Sequence, residues 1–232
     1  MTTTKRIVCL ANSRKMHGRC IAGKELTAEG VGGWIRPVSD REHEEVSERE
    51  RQYPDGSDPR VLDLIDVPLL EPRPRGHQRE NWLINPSLRW NKVGRMSRED
   101  LDALVDPVQP LWDVGQEITK RNDKVTLAQA AECDSSLVLL HVDRLHLDVY
   151  FDKDGPSGEG KKHLRGYFRH GGMEYRLRVT DPECEKECSD PSVTTYRIRD
   201  CYLAISLGEP FKGDCYRLIA AIIRRDGDVG HE

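Results

Sequence analysis

Four arginines and a tyrosine share one face of a short stretch between residues 163 and 179. Gly171-Gly172 is a two-residue turn signal between runs that alternate polar and apolar. A hairpin turning there pairs Arg169 with Glu174, Phe168 with Tyr175, Tyr167 with Arg176, Gly166 with Leu177 and Arg165 with Arg178. Successive strand side chains point to opposite faces. One face then holds Leu164, Gly166, Phe168, Tyr175, Leu177 and Val179, which is a core face. The other holds Arg165, Tyr167, Arg169, Arg176 and Arg178. Single-stranded nucleic acid needs guanidiniums for its phosphates and a flat π surface for its bases, and this face offers both. The same residues would also suit a solvated strand face that charge protects against edge pairing.

A second basic group lies near the start, in Asn12-Ser-Arg-Lys-Met-His-Gly-Arg19, a polar connection between two apparent strands. Arg14, Lys15, His17 and Arg19 could clamp phosphates, and Gly18 would permit close backbone approach. On the next strand Trp34 and Arg36 share a face by parity. They could form a stacking-plus-phosphate pair, although a large aromatic such as Trp34 more often lies in the core.

Other chemistry has little support. Cys184-x3-Cys188 has the spacing of half a zinc site, with His163 or His170 as completions. A structural zinc site shows two tight ligand pairs, and the segment here is acidic, so neither a metal nor a cofactor is expected. No Gly-x-Ser-x-Gly, P-loop, His-Glu-x-x-His or Gly-x-Gly-x-x-Gly occurs, so no catalytic residue is assigned. Cys20 with His17 could pair a thiol and a base, but Cys20 is better placed pointing into a barrel. Asp63 and Asp66 are three apart, which puts strand residues on opposite faces and opposes a shared cleft.

Charge is distributed unevenly. The 232 residues carry a net charge of -4, with 33% charged and 37% apolar residues. Residues 1–36 nevertheless hold seven Lys and Arg against Glu25 and Glu29, and residues 161–178 hold six against Glu174 alone. Two basic patches in an acidic chain point to polyanion contacts more than a basic average would. No apolar stretch approaches the roughly 18 residues of a membrane span. Met1 to Arg6 has a basic pair without a long apolar region, so a secretory signal is not expected. Seven cysteines, an odd number scattered through strand-like sequence, suit reduced thiols in a cytoplasmic protein.

The elements that would position these groups are mostly strands. Ile7–Ala11, Arg19–Leu26 and Trp34–Val38 read as the first three, with Gly30, Gly32 and Gly33 as a turn. Ser39 with Glu42 predicts a helix from Asp40 to about Gln52. Val61–Leu70 reads as a strand, and 75–96 as irregular chain. Ser97 caps a short helix to Val105, and Thr126 with Gln129 opens another to about Glu132. Then follow a long strand over 135–151, a loop over 152–160, the hairpin, and strands over 196–207 and 215–225. The expected organisation is two small β domains, 1–132 and 133–232.

Three strings of the first 95 residues carry a family resemblance: Cys9-Leu-Ala-Asn-Ser-Arg-Lys-Met-His-Gly-Arg-Cys20, Gly33-Trp-Ile-Arg-Pro-Val-Ser39 and His77-Gln-Arg-Glu-Asn-Trp82. They resemble the bacterial proteins described as dual OB-domain-containing. The resemblance implies a mainly β chain with short helices, built as two small OB-like β-barrels. Such barrels commonly bind oligonucleotides or oligosaccharides. The expected function is binding of single-stranded DNA or RNA, through Arg165, Tyr167, Arg169, Arg176 and Arg178 and through Arg14, Lys15, His17, Arg19 and Arg36. The alternatives are an enzyme acting on nucleotides or nucleic acid with the 12–19 loop, and a protein-interaction adaptor.

Overall fold

Each of two units closes five strands into a ring. The structure, a computed structural model, describes residues 1–108, 110–112, 122–152, 161–190 and 192–225. One unit comprises Met1–Val105 with Cys133–Leu137, the other Asp106–Glu132 with Val138–Glu232. The chain thus passes between units at 105/106, 132/133 and 137/138, where the sequence reading placed a single cut at 132/133. Among the described residues no helix is long and apolar enough to cross a membrane.

The first unit contains β1 (Thr3–Lys15), β2 (Gly18–Thr27), β3 (Gly30–Val38), α1 (Glu48–Arg51), β4 (Asp63–Pro72), β5 (Asn81–Ile84), β6 (Asn91–Arg95) and a 3-10 turn over Arg98–Leu104. Its strands run in the order β1-β2-β3-β5-β4, and β4 pairs back onto β1. All these pairings are antiparallel except β3 with β5, which is parallel. β6 adds to β4 outside the ring. Ile7, Cys9, Ile21, Ile35, Ile65, Val67, Leu69, Ile84 and Trp90 fill the interior. Where β2 crosses β1, a Cβ on Gly23 would stand 2.0 Å from the Val8 carbonyl oxygen, so only glycine admits this approach.

The second unit repeats the plan. It contains β7 (Lys124–Thr126), α2 (Leu127–Ala131), β8 (Leu137–Asp152), β9 (Lys161–His170), β10 (Met173–Val179), α3 (Pro182–Glu187), β11 (Thr195–Phe211) and β12 (Asp214–Arg224). The order is β10-β9-β8-β11-β12, and a parallel β10–β12 pairing closes it. With its strands numbered one to five, each unit therefore runs 1-2-3-5-4 and returns to 1, with strands 3 and 5 parallel and a short helix between 3 and 4. This is the connectivity of an OB barrel, and the chain is mainly β with short helices, as the sequence implied.

Several local expectations differ from the structure. The helix predicted from Asp40 shrinks to α1. Ser39 donates to the Glu45 carbonyl at 2.6 Å instead of capping a helix, and Glu44 at φ 57 would interrupt one. The capping box belongs to Ser47, the residue just before α1, and to Glu50, three residues further on; Ser39 lies nine residues before the start of α1, too far to cap it. Residues 75–96 are not irregular, because they hold β5 and β6; β5 is short and supplies the parallel pairing that closes the first ring. Gly32 and Gly33 lie within β3 rather than in a turn. From residue 153 the predicted 152–160 loop falls outside the described residues. The box at Thr126 and Gln129 does open α2.

One buried cation braces the hairpin of β9 and β10. Arg217 on β12 is fully buried. Its Nη1 donates to the carbonyls of Asn122 and Lys124 at 2.9 and 2.8 Å, and its Nη2 to those of Leu111 and Trp112 at 2.9 and 3.0 Å. The backbone it gathers reaches the hairpin in turn. Leu111 N donates to Tyr175 Oη at 3.1 Å, and Asn122 Nδ2 donates to the Glu174 carbonyl at 2.7 Å. Replacing Arg217 by Leu strands four carbonyls in a dry interior. The substitution should cost more than about 3 kcal/mol of stability, read as a lowered urea midpoint at unchanged m-value.

Candidate functional site

The hairpin adopts the register that the sequence predicts. Met173 pairs with His170, Glu174 with Arg169, Tyr175 with Phe168, Arg176 with Tyr167, Leu177 with Gly166 and Arg178 with Arg165. Gly171 and Gly172 take φ of 56° and 77°, the left-handed pair of a type I′ turn. Leu164, Gly166, Phe168, Tyr175, Leu177 and Val179 are buried. Arg169, Arg176 and Arg178 are exposed, and Arg165 and Tyr167 half-buried. Phe168 stacks on Tyr175 at 5.3 Å beneath this face and fixes its floor.

The neighbouring strand β8 widens the face by register. His146 lies across from Tyr167, Asp148 from Arg165 and Tyr150 from His163. The arginines already stack on the tyrosines. Arg176 sits 4.3 Å from the ring centre of Tyr167, and Arg165 sits 5.0 Å from that of Tyr150. Arg178 Nη2 donates to His163 Nδ1 at 2.9 Å. Arg169 faces Glu174 at 3.7 Å, with both side chains about three-quarters exposed, so solvent screens that pair. Arg165 pairs with Asp123 at the same distance, 3.7 Å, with both side chains largely buried.

Two hollows flank Tyr167. One of about 930 Å³ is lined by Asp143, Arg144, His146, Asp148, Tyr167, Phe168, Arg169, Glu174, Tyr175 and Thr195. The other, about 390 Å³, is lined by Asp148, Tyr150, Arg165, Tyr167, Arg176 and Thr195 among others. Asp148, Tyr167 and Thr195 are common to both. The Tyr167 hydroxyl is buried without a hydrogen-bond partner among the described residues. Tyr150, Asp148, Arg144 and Thr195 were not singled out from the sequence. Parity along 144, 146, 148 and 150 was a usable signal, but no sequence feature showed which strand would lie beside the hairpin.

The family model described as dual OB-containing domain matches residues 5–222. The chain belongs to the dual OB-containing domain family. No curated protein matches it. OB barrels bind oligonucleotides and oligosaccharides on the face of their second and third strands and on the loops joining strands one to two and four to five. In the second barrel of this dual OB chain, the second and third strands are β9 and β10. The four-to-five connection is the tight turn at Lys212-Gly213, where Phe211 is 59% exposed with Lys212 Nζ 5.3 Å from its ring centre. Sequence reasoning missed this aromatic, although a large apolar residue beside Lys-Gly was a fair signal of an exposed turn.

In the first barrel the one-to-two connection is shorter than the 12–19 loop that the sequence suggested. β1 runs to Lys15 and β2 begins at Gly18, so Met16 and His17 alone form the turn. Arg14 and His17 are exposed, and Lys15 and Arg19 half-buried. Arg36 is not with them. Its side chain is 1% exposed and pairs with Glu80 Oε1 at 2.9 Å. It also donates to Asn81 Oδ1 at 3.2 Å and Ser136 Oγ at 2.9 Å. A guanidinium so enclosed cannot meet a phosphate, and Arg36 leaves the candidate set. Trp34, 8% exposed, lies in the core with Lys24 Nζ 5.7 Å from its ring centre.

The remaining reactive groups have structural partners. Asp63 is fully buried between Lys92 at 2.7 Å and Arg95 at 3.5 Å, and accepts from Tyr53 Oη at 3.0 Å. Burial, with Asp63 nearby, pushes the Cys9 thiol up to about 12. Asp66 points elsewhere and pairs with Arg6 at 2.7 Å, as the parity argument required. Cys184 on α3 and Cys188 at its C-terminal cap are buried and unbridged. The hydrogen bond between their sulfurs, together with burial, holds the Cys184 proton in place, and the same bond lowers Cys188. His163 is committed to Arg178, and His170 Nε2 donates to the Val108 carbonyl at 2.6 Å.

A buried hydroxyl without a partner contributes no stability. Tyr167→Phe should therefore leave the unfolding free energy unchanged or raise it by up to about 1 kcal/mol. A chemical-denaturation curve checks this, and a loss above that size would mean that the hydroxyl has a partner.

Proposed function

We propose that the protein binds single-stranded nucleic acid, DNA or RNA, across the outer face of β9 and β10. The observation that supports this most is the arrangement of arginines and tyrosines there: Tyr167 and Tyr150, each stacked by a guanidinium, with Arg169, Arg176 and Arg178 exposed along the second and third strands of an OB barrel. Exposed arginines meet phosphates, and bases stack on the tyrosines or on the guanidinium planes covering them. Arg165, half-buried and paired with Asp123, orients Tyr150 more than it meets a phosphate. Phe211 and Lys212, on the four-to-five turn, extend the site with a further stacking surface. In the first barrel, Arg14, Lys15, His17 and Arg19 around the one-to-two turn make a second contact of the same kind.

Binding of this sort depends on salt. Each phosphate neutralised on a single strand contributes about -0.7 to the slope of log K against log salt, so three exposed arginines should give roughly -2. Arg178→Ala should weaken all sequences alike and flatten that slope by less than about one unit. Tyr167→Ala should cost about 1–3 kcal/mol of binding with the slope nearly unchanged. Fluorescence anisotropy on labelled oligonucleotides reads all three, and absence of binding at low salt would remove the proposal.

A further inference from the structure

A hollow of about 510 Å³ in the first unit is lined by Arg41, Ser47, Arg49, Glu50, Pro86, Ser87, Leu88 and Arg89. It lies between α1 and the chain that joins β5 to β6. Ligand pockets commonly run from roughly 300 to 1,000 Å³, so this one is large enough for a nucleotide. Its frame is fixed from below. Arg51, buried on α1, donates to the Val46 carbonyl at 3.3 Å and to Asp58 at 2.8 Å, which turns the opposite side of this short helix, with Arg49, outward. Trp90 and Ile84, both buried, pin the ends of the 85–89 segment. Arg89 Nη1 donates to the Arg49 carbonyl at 3.3 Å and ties that segment to α1.

The charges in this frame are not balanced. Three guanidiniums face one concavity, and Glu50 is the one carboxylate among its described lining residues. Glu50 is already engaged: it accepts from Ser47 N at 2.8 Å and pairs with Arg41 at 3.4 Å. Among the described residues the Arg49 and Arg89 guanidiniums have no carboxylate partner. Like charges gathered in a hollow repel, and folding gains nothing from that arrangement. An anion with several acceptor oxygens removes the repulsion and satisfies the planar forks of arginine. Next to the cations Pro86 is exposed and Leu88 is 48% exposed, an apolar wall for a base or sugar.

We infer that this hollow binds the phosphate of a nucleoside phosphate, with Arg41, Arg49 and Arg89 on the phosphoryl oxygens and Pro86 and Leu88 against the nucleoside. The phosphate could belong to a free nucleotide or to the 5′ end of a strand, since both present the same group. The helix amides play no part, because the side chain of Glu50, in the first turn, folds back over the helix start and accepts from the N–H of the N-cap residue Ser47. The site is separate from the Tyr167 face and does not depend on it.

Isothermal titration of the full chain with ADP, pyrophosphate, adenosine and a 5′-phosphorylated trinucleotide tests the inference. ADP and pyrophosphate should bind, and adenosine should not. Each guanidinium removed, as in R49E or R89E, should weaken ADP by about tenfold or more, the size of one charge-assisted hydrogen bond. Y167A should leave ADP binding unchanged, which separates this site from the one proposed above. R49Q and R89Q remove the charge more gently, and melting curves of all four variants confirm folding. Tighter binding of ADP than of the trinucleotide assigns the site to free nucleotides, and the reverse assigns it to strand ends; both support the inference. No binding of ADP or pyrophosphate at millimolar concentration, or binding undiminished in R49E/R89E, overturns it.

Discussion

A five-stranded ring can bury only one face of each strand, and the parallel pairing that closes it fixes which face that is. In the second unit the β10–β12 pairing joins Arg178 to Leu218 and Val179 to Ile219. Once Val179 points inward, Leu177, Tyr175 and, across the hairpin, Phe168, Gly166 and Leu164 must follow, because the side-chain period is two. Arg165, Tyr167, Arg169, Arg176 and Arg178 are left outside on the same residues' neighbours. The interior leaves no freedom to shift: a Cβ on Gly166 would come within 2.5 Å of Ile219 Cδ1. The candidate site is therefore the outer surface of a packing solution, and a slip of one residue would exchange its arginines for its core.

Two buried arginines hold the irregular chain that this ring plan leaves over. Arg217 gathers the carbonyls of Leu111, Trp112 and Asn122, which precede β7, lie outside any ladder and need a donor, together with that of Lys124 at the start of β7. Arg36 works through side chains instead. Its pairing with Glu80, and the Glu80 contacts to both the hydroxyl and the N–H of Ser136, anchor Cys133–Leu137 to the first barrel. Burying charge is costly unless every partner is present, and here the partners are carbonyls or a carboxylate with additional hydrogen bonds. These arginines specify where connecting chain goes, and neither is available to a ligand.

The hairpin was legible in the sequence because its signals are local: a Gly-Gly turn, strict alternation on either side, and partners only a few residues apart. Its register and both of its faces follow from those. The family strings carried the double barrel for the same reason, as contiguous motifs. What stayed hidden depends on distant partners. Nothing near residue 36 shows that Glu80 and Ser136 will enclose it, so an arginine beside a tryptophan read as a phosphate contact. β5 is four residues long, too short for alternation to mark it, and its existence follows from pairing with β3. Tyr150 and Asp148 joined the face only because β8 lies beside β9. α1 was misplaced because Ser39 and Glu42 matched a capping pattern that tertiary hydrogen bonds overrode.

The central claim is that the Tyr167 face is where a single strand lies, and an amide chemical-shift titration of the isotope-labelled protein with a short oligothymidylate and a matching oligouridylate addresses it residue by residue. The account predicts that the largest shifts fall on Arg165–Arg169 and Glu174–Arg178, with those around the Lys212-Gly213 turn next, and that high salt reverses them. Shifts confined to other surfaces, or none at oligonucleotide concentrations in the millimolar range, would contradict it.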